Sequence, residues 1–149
     1  MERLMRTSRL LLATTVAIFV AADALPCVCP ESGDVSAAYR QAAAVFVGRV
    51  VTLEVAPNPA REPGEDDMVA TLRVERLWKG PRTSTLRVRT CGTQAAACTC
   101  GFDFQLGARY VVFASGKRLE TTSCDRTRVA LAADDIIREI ETLPKERAR

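Results

Sequence analysis

Six cysteines constrain this chain more than any other feature of its 149 residues. Two pairs have the form C-x-C, "CVC" and "CTC", and a bridge inside either pair would be strained, because Cα atoms two residues apart in an extended chain are near the upper limit of the separation that a disulfide spans. The first two cysteines therefore reach two different partners far along the chain. An even number of cysteines in an exported protein predicts disulfides. The six are Cys27, Cys29, Cys91, Cys98, Cys100 and Cys124.

The first 24 residues have the three parts of a secretory signal peptide. "MERLMRTSR" is basic, the run from Leu10 to Ala22 is apolar, and "ADA" ends at Ala24. The run is shorter than the roughly 17 to 25 residues that a spanning helix needs. We expect a secreted, periplasmic or extracellular protein with no membrane span after cleavage. Its mature chain begins Leu25-Pro26-Cys27.

Zinc is the alternative use of these thiols, since "CVC" and "CTC" together supply four. Structural zinc sites usually place two to four residues between paired cysteines and suit reducing compartments. The spacing and the expected export both favour disulfides.

Hydrophobic periodicity predicts a mainly β domain over residues 25–143, followed by a solvated tail at 144–149. Helical spacing over "SGDVSAAYRQAAAVF" predicts a short first helix, and "ALAADDIIREIETL" predicts a terminal one. We predict a small closed barrel from five strands, with a bulge at Gly48 in the first. The strands are expected at 45–55, 68–80, 83–91, 110–114 and 118–122.

Alternation within the strands predicts which side chains are buried. The inward positions are Leu72, Val74, Trp78, Leu86, Val88 and Val112, and the outward ones are Arg73, Arg87 and Arg89.

Composition argues against an enzyme and against a nucleic-acid-binding protein. The chain has no histidine, no G-x-S-x-G and no phosphate-binding loop, so we assign no catalytic residue and no cofactor. A net charge of +3 is close to balanced. A strip of Arg73, Arg76, Arg87 and Arg89 lacks the interleaved aromatic residues that bind single strands.

Five ordered segments carry a family resemblance: "CVCP", "VFVGRVV", "LRVERLWKG", "CGFDFQLGARYVVFA" and "LETTSC". Together they resemble the netrin-like module of the tissue inhibitors of metalloproteinases, especially its bacterial relatives. The resemblance implies an exported, disulfide-bonded OB-fold barrel. We separately expect the protein to be a monomer. It also implies the bridges Cys27–Cys100 and Cys29–Cys124, which leaves Cys91–Cys98 as a local bridge.

The resemblance further implies how such a protein acts. In that family the α-amino group and carbonyl of the first cysteine chelate the catalytic zinc of a metalloproteinase, and the next side chain enters the specificity pocket. Carried over, the binding segment is Cys27, Val28, Cys29 and Pro30, with Cys27 as the chelator. Because Leu25 and Pro26 precede it, chelation requires their removal. The alternative is an extracellular or envelope protein-binding module that inhibits no protease.

Overall fold

The computed structural model describes residues 27–29, 33–59, 66–92 and 100–144. The expected signal peptide, and all of the expected tail except Pro144, lie outside these residues. The described elements are α1 (Val35–Gln41), β1 (Ala44–Ala56), β2 (Asp67–Lys79), β3 (Thr85–Cys91), β4 (Arg109–Ala114), β5 (Arg128–Val129) and α2 (Asp134–Thr142), the last preceded by a 3-10 turn at Ala130–Ala132.

The five strands form one antiparallel sheet in the order β3-β2-β1-β4-β5. The mainly β class and the two flanking helices are as predicted. The sheet is open between its edge strands β3 and β5, so the predicted closure into a barrel is not seen as a continuous ladder.

The predicted fifth strand at 118–122 is wrong. Gly116 and Leu119 both have positive φ, 71° and 53°, and left-handed residues of this kind turn the chain instead of extending it. Only isolated bridges join Glu120 to Ser115 and to Arg89. The fifth strand is instead the two-residue β5.

Alternate residues of β1 supply two apolar layers, one on each face of the sheet. Val45 and Val47 pack on the face that α1 and α2 cover. Phe46 and Val50 pack on the opposite face. The predicted irregularity occurs at Gly48, where a side chain would crowd the Phe46 ring at 3.0 Å. This central position of β1 is why its first half is buried on both faces.

The helices complete the first layer. Asp34 caps α1 by accepting a hydrogen bond from the Ala37 amide at 2.6 Å. The Tyr39 hydroxyl then donates to the Trp78 carbonyl at 3.1 Å, which fixes α1 against β2. Within α2, Ile136 and Ile140 face the same layer and are buried.

The predicted strand phase is largely correct. Leu72, Leu86, Val88 and Val112 are buried, whereas Val74 and Trp78 are only half-buried. Arg73 and Arg87 are exposed as expected.

Arg89 differs from the predicted outward position. Its side chain is only 27% exposed, and it forms an ion pair at 3.2 Å with Asp67. The buried carboxylate of Asp67 needs such a partner, because an unpaired charge is costly away from water. None of the helices in the described part of the chain is long and apolar enough to cross a membrane.

Candidate functional site

Residues 27–29, here called the C-x-C ridge, are held by two disulfides to distant parts of the chain. Cys27 is bonded to Cys100, 73 residues away, and Cys29 to Cys124, 95 residues away. These are the two pairs that the family resemblance implies. The alternating side chains of an extended segment place both bridges on the same side and Val28 on the other.

The sulfur atoms of the two bridges lie side by side. Cys27 Sγ is 3.4 Å from Cys124 Sγ and 4.0 Å from Cys29 Sγ. Such a cluster has the size of a metal site, but its sulfurs are bonded to one another in disulfides and supply no thiolate. The zinc alternative is therefore excluded at these cysteines.

The loop that carries Cys124 is fixed at its base to β4. The Thr121 hydroxyl donates to the Phe113 carbonyl at 3.0 Å, and the Phe113 amide donates to Thr127 Oγ1 at 3.0 Å. The two hydroxyls are 2.8 Å apart, and both threonines are buried. Two side chains thus replace the backbone ladder that β4 lacks at this point.

The upper part of the same loop is closed by hydrogen bonds from its own residues. Asp125 Oδ2 accepts from the Thr122 amide at 2.6 Å and from the Thr122 hydroxyl at 2.9 Å. The Ser123 amide donates to the Cys100 carbonyl at 2.9 Å, which joins the attachment points of the two bridges. Ridge and loop therefore form one unit, which we call the ridge assembly (residues 27–29, 100–101 and 121–127).

A further contact fixes the chain beyond the ridge. Arg126 donates to the Gly33 carbonyl at 2.6 Å, immediately before the cap of α1. The N-terminal segment is consequently anchored on both sides of the residues between Cys29 and Gly33.

Val28 is the side chain that the ridge assembly presents to solvent. It is 85% exposed, although the two residues beside it are covalently fixed. Fixing the backbone while exposing an apolar side chain has no benefit for the core, since almost none of its surface is removed from water. The arrangement is suited to inserting a small apolar group into a partner's pocket, because the ordering entropy is lost before binding.

Some expected site residues lie outside the part of the chain that the structure describes. Pro30 and Cys98 are outside the described residues, so neither the ridge's fourth position nor the Cys91–Cys98 bridge is described. Cys91 itself takes part in a disulfide. Next to it, a side chain at Gly101 would collide with the Cys91 carbonyl oxygen.

Trp78 and the arginine strip have structural roles. Trp78 is half-buried under the helices, with the Arg76 guanidinium 5.0 Å from its ring centroid. Arg76 also pairs with Glu141, and Arg87 pairs with Glu54 at 3.1 Å. These ion pairs, with that of Arg89, neutralise most of the predicted basic strip.

Sequence reasoning did not identify Thr121, Ser123, Asp125 and Thr127 as parts of the site. Their signal was present in the run "TTSCDRT" around Cys124. Threonine, serine and aspartate close to one another in a short segment are typical of loops closed by side-chain-to-backbone hydrogen bonds.

Comparison with known proteins adds no relative to this picture. No family model matches the chain, and no curated protein matches it either. The likeness to the tissue inhibitors of metalloproteinases thus stays a prediction from the sequence motifs.

Proposed function

We propose that this protein is secreted and inhibits zinc metalloproteinases by inserting its C-x-C ridge into their active site. The observation that carries the proposal is the 85% exposure of Val28 between two disulfide-anchored cysteines. A small apolar side chain held this way is suited to entering an apolar specificity pocket, because its ordering entropy is lost before binding.

The ridge acts through two groups. The α-amino nitrogen and carbonyl oxygen of Cys27 chelate the catalytic zinc, which keeps one coordination position open for substrate or water. Val28 enters the adjoining specificity pocket. The disulfides, and the hydrogen bonds of the 121–127 loop, keep these two groups in a fixed relation, which lowers the entropic cost of binding.

The proposal includes a fold and a location. We take the sheet to be an OB-type barrel that is closed by backbone hydrogen bonds at Arg89. The Arg89 carbonyl accepts from the Thr121 amide, and the Arg89 amide donates to the Leu119 carbonyl, each at 2.8 Å. An oxidising compartment, reached through the N-terminal signal sequence, accounts for cysteines that are all bonded in the described residues.

The position of the mature N-terminus tests the chelation step. Protein that begins at Cys27 should inhibit a susceptible zinc endopeptidase, and protein that begins at Leu25 should be inert or far weaker. A peptide bond to Pro26 removes the nitrogen lone pair from coordination. The measurement is an inhibition constant for each form against a panel of zinc endopeptidases, after both N-termini have been sequenced.

A side-chain substitution tests the pocket step separately. Val28→Gly in the form that begins at Cys27 should weaken inhibition by about tenfold to a hundredfold, the worth of a small apolar side chain in a pocket. Leu131→Gly is the matched control, because Leu131 is 89% exposed outside the ridge assembly. If both N-terminal forms are inert against the whole panel, the protein is a binding module without inhibitory activity.

A further inference from the structure

The second half of β1 is an open edge of the sheet. β4 pairs with β1 only from Ala44 to Arg49, and the loop at 107–108 takes the next position by hydrogen bonding to Val50. From Thr52 to Ala56, β1 pairs with β2 alone among the described residues, and Val51 is the extra residue of an irregularity in that pairing. Within the described part of the chain, one side of this segment therefore has no neighbouring strand, and such edges are templates for pairing with another chain.

The backbone groups that face this edge follow from the register. The backbone amide of Arg89 donates to the Leu119 carbonyl, so it points away from β2. Val69, which lies opposite Arg89, therefore forms no backbone hydrogen bond with it, and the amide and carbonyl of Val69 point toward Glu54 of β1. Backbone directions alternate along a strand, so the amides and carbonyls of Leu53 and Val55 point outward. No described residue hydrogen-bonds to these groups, so within the described part of the chain they are available for a new ladder.

Exposed apolar side chains line the same edge. Val51 is 40% exposed and Val55 is 66% exposed. They are two of the six large hydrophobic side chains exposed in the described residues. Two such side chains so close together on one edge favour an interaction surface over scattered exposure.

We propose that this edge pairs with the same edge of a second copy of the chain, in antiparallel register about Leu53. That register places each Val51 opposite the partner's Val55, so the two exposed apolar side chains of the strand cover each other. Glu54 meets the partner's Thr52, and no like charges face each other. The two sheets join through β1, and the molecule is a dimer where the sequence analysis expects a monomer.

Charge supports a second copy as the occupant. Glu54 is the only charged residue between Val51 and Ala56, and its carboxylate is already paired with Arg87 of the same chain. A segment without net charge pairs with itself at no electrostatic cost. The β3 edge, by contrast, carries Arg87 and Arg89, and is occupied at Arg89 by residues 119–121.

The pairing is short, five residues from each copy, so the dimer is weak. We expect a dissociation constant in the range of about 10 to 100 μM, as for small interfaces. Sedimentation velocity on the disulfide-bonded protein from an exporting host, over a concentration series up to about 0.5 mM, measures this.

Two double variants test the register. Val51→Lys with Val55→Lys sets two lysines opposite each other at both ends of the pairing, and should raise the dissociation constant about tenfold or more. Val51→Glu with Val55→Lys sets a glutamate opposite a lysine at both ends, and should restore dimerisation. Val129→Lys with Leu131→Lys adds the same charge at two other exposed positions and should leave it unchanged.

Far-ultraviolet circular dichroism on each variant checks that it is folded. A wild-type protein that stays monomeric over the whole series overturns the proposal, even if the edge binds a strand of some other protein. Equal dissociation constants for the two charged β1 variants overturn the register. The readout involves no protease, so it is independent of whether the protein inhibits one.

Discussion

The C-x-C ridge and the first half of β1 differ in what holds them in place. In β1, Val45 and Phe46 are fully buried on opposite faces of the sheet. In the ridge, Val28 is 85% exposed and its neighbours are fixed by disulfides. One region is therefore stabilised by removing apolar surface from water, and the other by covalent bonds.

The difference follows from length. Three residues at the edge of a domain cannot bury enough surface to offset their conformational entropy, which is about 1 to 2 kcal/mol per residue for the backbone. A disulfide avoids this limit, because it acts mainly by restricting the unfolded chain. A segment held in this way can expose an apolar side chain without becoming disordered.

The largest effect on stability is expected in the first half of β1, where the side chains are buried. Phe46→Ala should lower the free energy of unfolding by about 3 to 5 kcal/mol, because the ring is fully buried and its removal leaves a cavity. Leu131→Ala, at an 89% exposed position, is the control and should change it little. Chemical denaturation with disulfides intact measures both. Similar values for the two variants would contradict the burial on which the comparison depends.

Removing one disulfide tests whether covalent bonds hold the C-x-C ridge in place. Cys29→Ser with Cys124→Ser should lower the free energy of unfolding by about 2 to 5 kcal/mol, since the bridge closes a long loop. Ser123→Ala beside it should cost less than about 1 kcal/mol, the worth of one partly exposed hydrogen bond. Hydrogen exchange should rise at residues 122–126 and stay low in β1. An unchanged free energy would show that packing alone holds the ridge.

The hydrogen bonds at the base of the 121–127 loop should contribute less stability than the buried Phe46 ring or the disulfide. Thr127→Val should cost about 1 to 3 kcal/mol, because it leaves the Phe113 amide without its partner and removes one of the two hydrogen bonds of the Thr121 hydroxyl. Thr85→Val, on an exposed position of β3, is the matched control and should be nearly neutral. Thermal and chemical unfolding measure both variants. If they lose the same free energy of unfolding, the hydrogen bonds of Thr127 do not stabilise the loop.

The smallest stability effect should occur at the most exposed residue of the ridge. Val28→Ala should change the free energy of unfolding by less than about 0.5 kcal/mol, since little apolar surface is lost from the folded state. The same denaturation series measures it. A loss above about 1 kcal/mol would mean that Val28 packs against the protein, and the contrast between the two regions would fail.

Sequence patterns predicted the elements whose signals are local. Alternation across Leu72, Leu86 and Val88 correctly assigned the buried face of β2 and β3. Gly48 marked the irregularity in β1, because glycine in an apolar strand usually marks a bulge or a close approach. Both signals depend on a few adjacent residues, and the tertiary contacts at these positions agree with them.

The same reasoning failed where distant residues decide. The segment 118–122 reads as a strand, yet Leu119 adopts a left-handed conformation and Glu120 forms only single bridges. Asp67 reads as part of an acidic loop, yet it is buried against Arg89. Glu120 and Asp67 both contact Arg89, which lies more than 20 residues away from each of them in the chain, and no local pattern describes such a contact.

The candidate site divides in the same way. Cysteine spacing alone required Cys27 and Cys29 to have two different partners, and only the family resemblance indicated which ones. The side chains that support the bridges, Thr121 and Thr127, had no assigned role until the fold placed both beside Phe113.

The sequence by itself determined a mainly β chain whose N-terminal C-x-C is tied by disulfides to distant segments, because alternation and cysteine geometry are properties of a few neighbouring residues. Only the tertiary structure decided that Val28 is left exposed beside two neighbouring bridges, and that β1 continues past β4 without another neighbour than β2 in the described residues. Exposure and strand neighbours depend on which residues far apart in the chain approach one another. These long-range contacts form only when the whole sheet packs against the two helices.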